Sequence, residues 1–241
     1  MKRTTTVALF YTGIALTCAA ILGIAFYLRS RLPEPDIQLI VNSGRTESSQ
    51  WFEIGKDLEA VNQSGETVKL SDLRGKVWIA AEFFAVCPHC AVRNGQELRQ
   101  IYDEFGGHPD FHIVCITVDP EEDRREKLAD YARALGADTR NWWFLNAGDM
   151  ESTHRYLENE LKFFGVRERS DPADIAANGR LLHDLGLLLV DREWRVIGKW
   201  PLAEARSEEA RKRDPGLYEK LKTELYQRLG EELEKNETPG I

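Results

Sequence analysis

The chain has 241 residues, 42% of them hydrophobic and 30% charged, with a formal net charge of -8. That length suits one well-packed domain plus an anchor and is too short for two full-sized domains and a membrane segment. Acidic and basic residues are interspersed without a basic stripe, which excludes a phosphate-neutralising nucleic-acid surface, and the four cysteines do not form a disulfide framework.

From Thr4 to Leu28 no charge interrupts a run rich in Val, Leu, Ile, Phe and Ala. Roughly 20 apolar residues cross a bilayer as a helix, so the run predicts an N-terminal transmembrane anchor over residues 1–30. A cleaved signal peptide is the alternative, but the run exceeds the usual h-region and no small-x-small cleavage site follows it. Cys18 reads as a small apolar residue of that helix, because Thr17 makes a poor lipidation site. Lys2 and Arg3 before the run and Arg29 and Arg31 after it give no orientation by charge. Residues 31–50, with Pro33, Pro35, Gly44 and Ser48-Ser49-Gln50, read as a flexible tether, and order is expected to begin near Trp51.

Asn62-Gln63-Ser64-Gly65 followed by Thr67–Leu70 predicts a hairpin. Val77–Phe84 is apolar at consecutive positions, as in a strand covered on both faces. Cys87-Pro88-His89-Cys90 follows, opening a helix that Gly106-Gly107 ends. Phe111–Val118 is a second buried strand, and Glu121 to Leu135 a helix stopped at Gly136, with Glu121–Lys127 as its solvated face. Strand, helix, strand, helix implies a parallel sheet with right-handed crossovers. Trp142–Leu145 is expected as a short strand, Glu151–Phe164 as a helix, and Arg167–Asn178 as a solvated surface loop. Leu187–Asp191 and Trp194–Trp200 predict a hairpin. Residues 201–241 form a C-terminal helical extension whose leucines at 217, 221, 225, 229 and 233 make a stripe that should dock on the domain.

A cysteine at the junction of a buried strand and a helix places its sulfur near unpaired N–H groups and the positive end of the helix dipole, which favours thiolate. Cys87 holds that position. Pro88 suits the first helical turn, and three residues along a helix bring Cys90 onto the same face, so a redox-active disulfide between the two is geometrically natural. A protonated His89 would lower the thiol pKa further. A lone C-x-x-C could instead be half of a zinc site, but no second pair of ligands follows. Cys115 alternates with Ile113 and Thr117 in a strand and reads as an inert small hydrophobe. His108, His112 and His154 support no second metal site.

Leu73-Arg74-Gly75-Lys76-Val77-Trp78, the cysteine pair after an apolar strand, Ile116-Thr117-Val118-Asp119-Pro120, and His183 followed by Asp191 in Leu188-Leu189-Val190-Asp191 resemble the Sco/SenC family over roughly Trp51 to Trp200. The resemblance implies an α/β thioredoxin-like fold with a central mixed sheet flanked by helices, tethered to the inner membrane and facing the periplasm or extracytoplasmic space. It also implies copper delivery to a cytochrome oxidase subunit, with Cys87, Cys90 and His183 as copper ligands. Two thiolates and an imidazole make a soft, low-coordinate site suited to Cu(I). The loop Gly179–Leu187 contains no proline, whereas thioredoxin-like reductases carry one facing their cysteines. The cysteine spacing departs from the family: two intervening residues replace the usual three, giving the Cys-Pro-His-Cys of DsbA-like oxidants.

Two functions therefore stand side by side. One is a copper-binding assembly factor; the other is an extracytoplasmic thiol–disulfide oxidoreductase acting on exported thiol substrates without stable copper binding. A peroxiredoxin-like site is weaker, because its Thr or Ser and Arg cannot be assigned.

Overall fold

The computed structural model describes residues 52–85 and 88–235, with backbone only for 88–93, and a set of helical positions between 11 and 27. The chain divides into two units, Met1–Asn42 and Ser43–Ile241. In the first, Ile21, Leu22 and Ile24 are exposed, and Thr17 Oγ1 donates to the Gly13 carbonyl at 2.9 Å. Among the described residues no helix is long and apolar enough to cross a membrane. Much of the expected span Thr4–Leu28, and all of the tether 31–50, lie outside the described residues.

The second unit is a three-layer α/β domain. Its strands are β1 (Phe52–Glu53), β2 (Glu59–Asn62), β3 (Thr67–Lys69), β4 (Val77–Phe83), β5 (Phe111–Thr117), β6 (Trp142–Asn146), β7 (Arg167–Glu168), β8 (Leu181–Leu182), β9 (Leu187–Val190) and β10 (Arg195–Trp200). Its helices are α1 (Pro88–Phe105), α2 (Arg125–Leu135), α3 (Met150–Asn159), α4 (Pro172–Asn178), α5 (Leu202–Ala205), α6 (Glu208–Arg213) and α7 (Leu217–Glu234). Eight strands form one sheet in the order β1-β10-β9-β4-β5-β6-β2-β3, and β7 pairs with β8 separately. β4, β5 and β6 run parallel, while β9 lies antiparallel to β4. This is the expected central mixed sheet of a thioredoxin-like fold.

β4 and β5 are buried at every position, which explains their unbroken apolar runs. On one face Phe83 stacks on Tyr131 of α2 at 5.5 Å, and Tyr102 of α1 meets Trp142 at 5.0 Å. Cys115 lies here, wholly buried, with its thiol pushed up to about 12 by desolvation, as an inert core residue should be. The opposite face carries Trp78, Ala80 and Phe84 against Tyr156 and Leu157 of α3. The five leucines of the α7 stripe are all buried, so that helix docks as its spacing predicted.

Three boundaries differ from expectation. Arg167–Asn178 contains β7 and α4, because Asp171 caps the helix by accepting from Ala173 N at 3.2 Å and Pro172 occupies its first turn. The helix expected from Glu121 starts at Arg125, because Asp119 and Asp123 turn the chain first. The helix expected to reach Phe164 ends at Asn159, beyond which Lys162 takes a positive φ of 57°.

Candidate functional site

Of the candidate residues, the side chain of His183 is described, and it lies at the C-terminal end of β4. β4 continues through Phe84 and Ala85 towards Cys87, and the helix bearing Cys90 begins at Pro88. Cys87 and the side chain of Cys90 lie outside the described residues. His183 enters from the turn between β8 and β9; β9 pairs with β4, and this pairing brings the imidazole to the end of the strand that leads into the cysteines.

His183 is 3% exposed and meets Phe84 edge-on, 5.6 Å between ring centres. Its Nδ1 lies 3.0 Å from the Asp184 carbonyl. A carbonyl only accepts, so Nδ1 carries the proton and Nε2 presents a bare lone pair. That Nε2 is buried and has no hydrogen-bond partner. Burial holds the imidazole's pKa down at about 4, so the ring is neutral at physiological pH.

Glu82 lies beside it, on the same face of β4 as Trp78 and Ala80. Its Oε2 is 3.7 Å from His183 Nδ1 and accepts from Asp184 N at 2.8 Å. Desolvation, reinforced by the nearby Asp184 carboxylate, raises its pKa well above the usual range. With the acid pushed up and the imidazole pushed down to about 4, the imidazole is neutral near pH 7 and its approach to Glu82 is no ion pair. Asp184 is the best-connected member of the cluster. It pairs with Lys199 of β10 and accepts from Phe164 N at 3.0 Å and Gly186 N at 2.9 Å. A Cβ at Gly186 would lie 2.4 Å from Lys199 Cε, so an alanine there would push the lysine aside from its pairing with Asp184.

The approach to Cys87 has its own support. Asp123 is fully buried, and its Oδ2 accepts from Ala85 N at 2.9 Å and Thr117 Oγ1 at 2.6 Å. Asp119 closes the end of β5 and holds Arg180 through two hydrogen bonds of 3.1 and 2.7 Å. Asp191 serves the β9–β10 turn instead of the site, accepting from Glu193 N and Arg195 N at 3.0 and 2.9 Å.

Sequence reasoning passed over Glu82, Asn94, Asp123, Asp184 and Lys199. A lone glutamate inside the apolar run Val77–Phe83 was a legible signal; Asp123 was hidden in a charged run read as a solvated face. Among the described residues no cluster of three or more His, Cys, Asp and Glu could hold a metal, and His112, with its pKa lowered by burial, lies edge-on to Trp143 in the core.

The SCO1/SenC family profile matches residues 46–214. The SCO1 protein homolog of Bacillus subtilis is 24% identical over 141 residues, covering 56% of this chain and 67% of that protein. Among solved structures, BsSco, a member of the Sco family of cytochrome c oxidase assembly proteins with a disulfide switch, superposes with a TM-score of 0.54 at 18% identity. It covers 77% of this chain and 99% of BsSco. Arabidopsis thaliana ScoI with copper bound superposes with a TM-score of 0.51 at 18% identity, over 72% of this chain and 99% of its own. At such identities the superpositions speak for the fold alone, and the family rests on the match across most of the globular unit. This chain is a member of the SCO1/SenC family.

Proposed function

We propose that this protein takes up Cu(I) as cargo through Cys87, Cys90 and His183 and delivers it to an exported cytochrome oxidase subunit, from a domain anchored outside the cytoplasm by the apolar segment within residues 1–30. The observation that supports this most directly is the bare, buried, unpartnered Nε2 of His183. Leaving a buried polar atom unpaired costs about 1–3 kcal/mol. A metal-ligating histidine normally donates its other ring N–H to a carbonyl or carboxylate, which fixes the tautomer and aims the free nitrogen, and His183 does this through the Asp184 carbonyl. Because burial already keeps the ring neutral, no proton has to be displaced from it before it binds a metal. The copper-bound Arabidopsis relative and the oxidase-assembly role of BsSco lend the reading precedent within the family.

The test is a competition titration with Cu(I) on the reduced protein and on His183→Ala. One Cu(I) bound by the wild type, with affinity lowered at least tenfold in the variant, is expected; unchanged affinity would remove the histidine from the ligand set.

Thiol–disulfide exchange is the second reading, favoured by the Cys-Pro-His-Cys spacing. In it a substrate thiolate attacks the Cys87 sulfur of a Cys87–Cys90 disulfide and Cys90 leaves as thiolate. A second substrate thiol then displaces Cys87, so the substrate leaves as a disulfide and its two electrons stay on the Cys87–Cys90 dithiol; the same steps run in reverse reduce a substrate. Faster alkylation of Cys87 than of Cys90 across pH supports this division of labour. Absence of Cu(I) binding in the wild type would leave exchange as the function.

A further inference from the structure

The helix that carries Cys90 and the loop that carries His183 are separate stretches of chain, and one side chain joins them. Asn94 sits on α1 four residues after Cys90, and positions four apart share a helix face. It is 3% exposed, and its Nδ2 donates to the Leu185 carbonyl at 3.0 Å, two residues beyond His183. Among the described residues this is the one hydrogen bond joining α1 to the loop 183–186. The Oδ1 of the same amide is buried without a partner. An apolar side chain of similar volume would avoid that cost, so helix packing alone does not favour asparagine here.

Three residues further on, Glu97 is also buried, ion-paired with Arg206 and accepting from Tyr218 OH at 3.1 Å. α1 is thereby fixed on this face to the C-terminal helices, and Asn94 ties the His183 loop to an element that is itself held in place. On its other side the loop is tied down by Asp184, through Lys199 and Phe164.

We propose that Asn94 is a positioning residue: through the Leu185 carbonyl it sets where the His183 imidazole stands relative to the cysteine helix. The inference rests on the copper reading, and its test separates the two. Full-length reduced protein is titrated with Cu(I) as wild type, Asn94→Ala, His183→Ala and the double variant. Asn94→Ala is expected to weaken Cu(I) binding about ten- to a hundredfold, as loss of an outer partner of a ligand does, and to have no further effect once His183 is gone. Equal losses in both backgrounds would overturn the proposal, since a general structural defect would persist without the histidine. Hydrogen exchange at the Gly186 amide is the second readout and needs no copper. It should be faster in Asn94→Ala; unchanged exchange overturns the clamp. If the wild type binds no Cu(I), the copper reading falls and the exchange result alone decides for or against the clamp. Asn94→Leu, which keeps the volume and lacks the donor, replaces Asn94→Ala if the latter does not fold.

Discussion

Replacing His183 by glutamine should flatten the acid limb of this protein's stability curve. In the folded state burial holds the imidazole's pKa at about 4, against 6.5 when it is solvated. Between those values the unfolded chain binds a proton that the folded chain refuses, so stability falls as pH drops through the window and is fully retained above about 6.5. At about 1.4 kcal/mol per tenfold change, the full loss on acidification to pH 4 is about 3 kcal/mol, a large share of a typical domain's stability. Glu82 has the opposite sign: its raised pKa means the folded state holds the extra proton, a contribution lost as pH rises through that pKa. Glutamine at 183 leaves Glu82, Asp184 and Lys199 in place, so their contributions largely cancel in the difference between the two proteins. The assay is urea unfolding of reduced, copper-free wild type and His183→Gln from pH 7 to pH 4. The wild type should lose about 3 kcal/mol relative to the variant across that range. A difference that stays constant within the error of extrapolation would show that the ring is solvated or already protonated, and would refute the argument from burial.

Gly186→Ala should destabilise the domain by about 1–3 kcal/mol, read as a lower denaturation midpoint, because its Cβ would press into Lys199 and Asp184. Asp123→Ala strands the buried Thr117 hydroxyl and the Ala85 N–H, each worth about 1–3 kcal/mol. It should also alter Cys87 alkylation more than Cys115 alkylation, since Ala85 lies two residues before Cys87. Removal of residues 1–50 should leave a soluble domain with its own thermal transition, because the first described strand of the second unit begins at Phe52; an aggregated fragment would give the N-terminal segment a structural part.

Much of the architecture follows from local sequence, because strands buried on both faces and helices with a leucine stripe advertise themselves in neighbouring residues. Val77–Phe83, Phe111–Thr117 and the leucines at 217 to 233 needed no tertiary information. The step from the strand ending at Phe83 to the helix starting at Pro88 was legible for the same reason. α4 was missed because the residues that cap a short helix, Asp171 and Gly179 here, are also those of a loop. What the sequence alone could not decide is the state of the groups around the imidazole. The bond from Asp184 N to buried Glu82 and the reach of Asn94 to Leu185 join residues 102 and 91 positions apart in the chain. Only the pairing of β9 with β4 and the packing of α1 beside them bring those residues together. Desolvation, which sets the charges here, is a property of that packing and has no local signature.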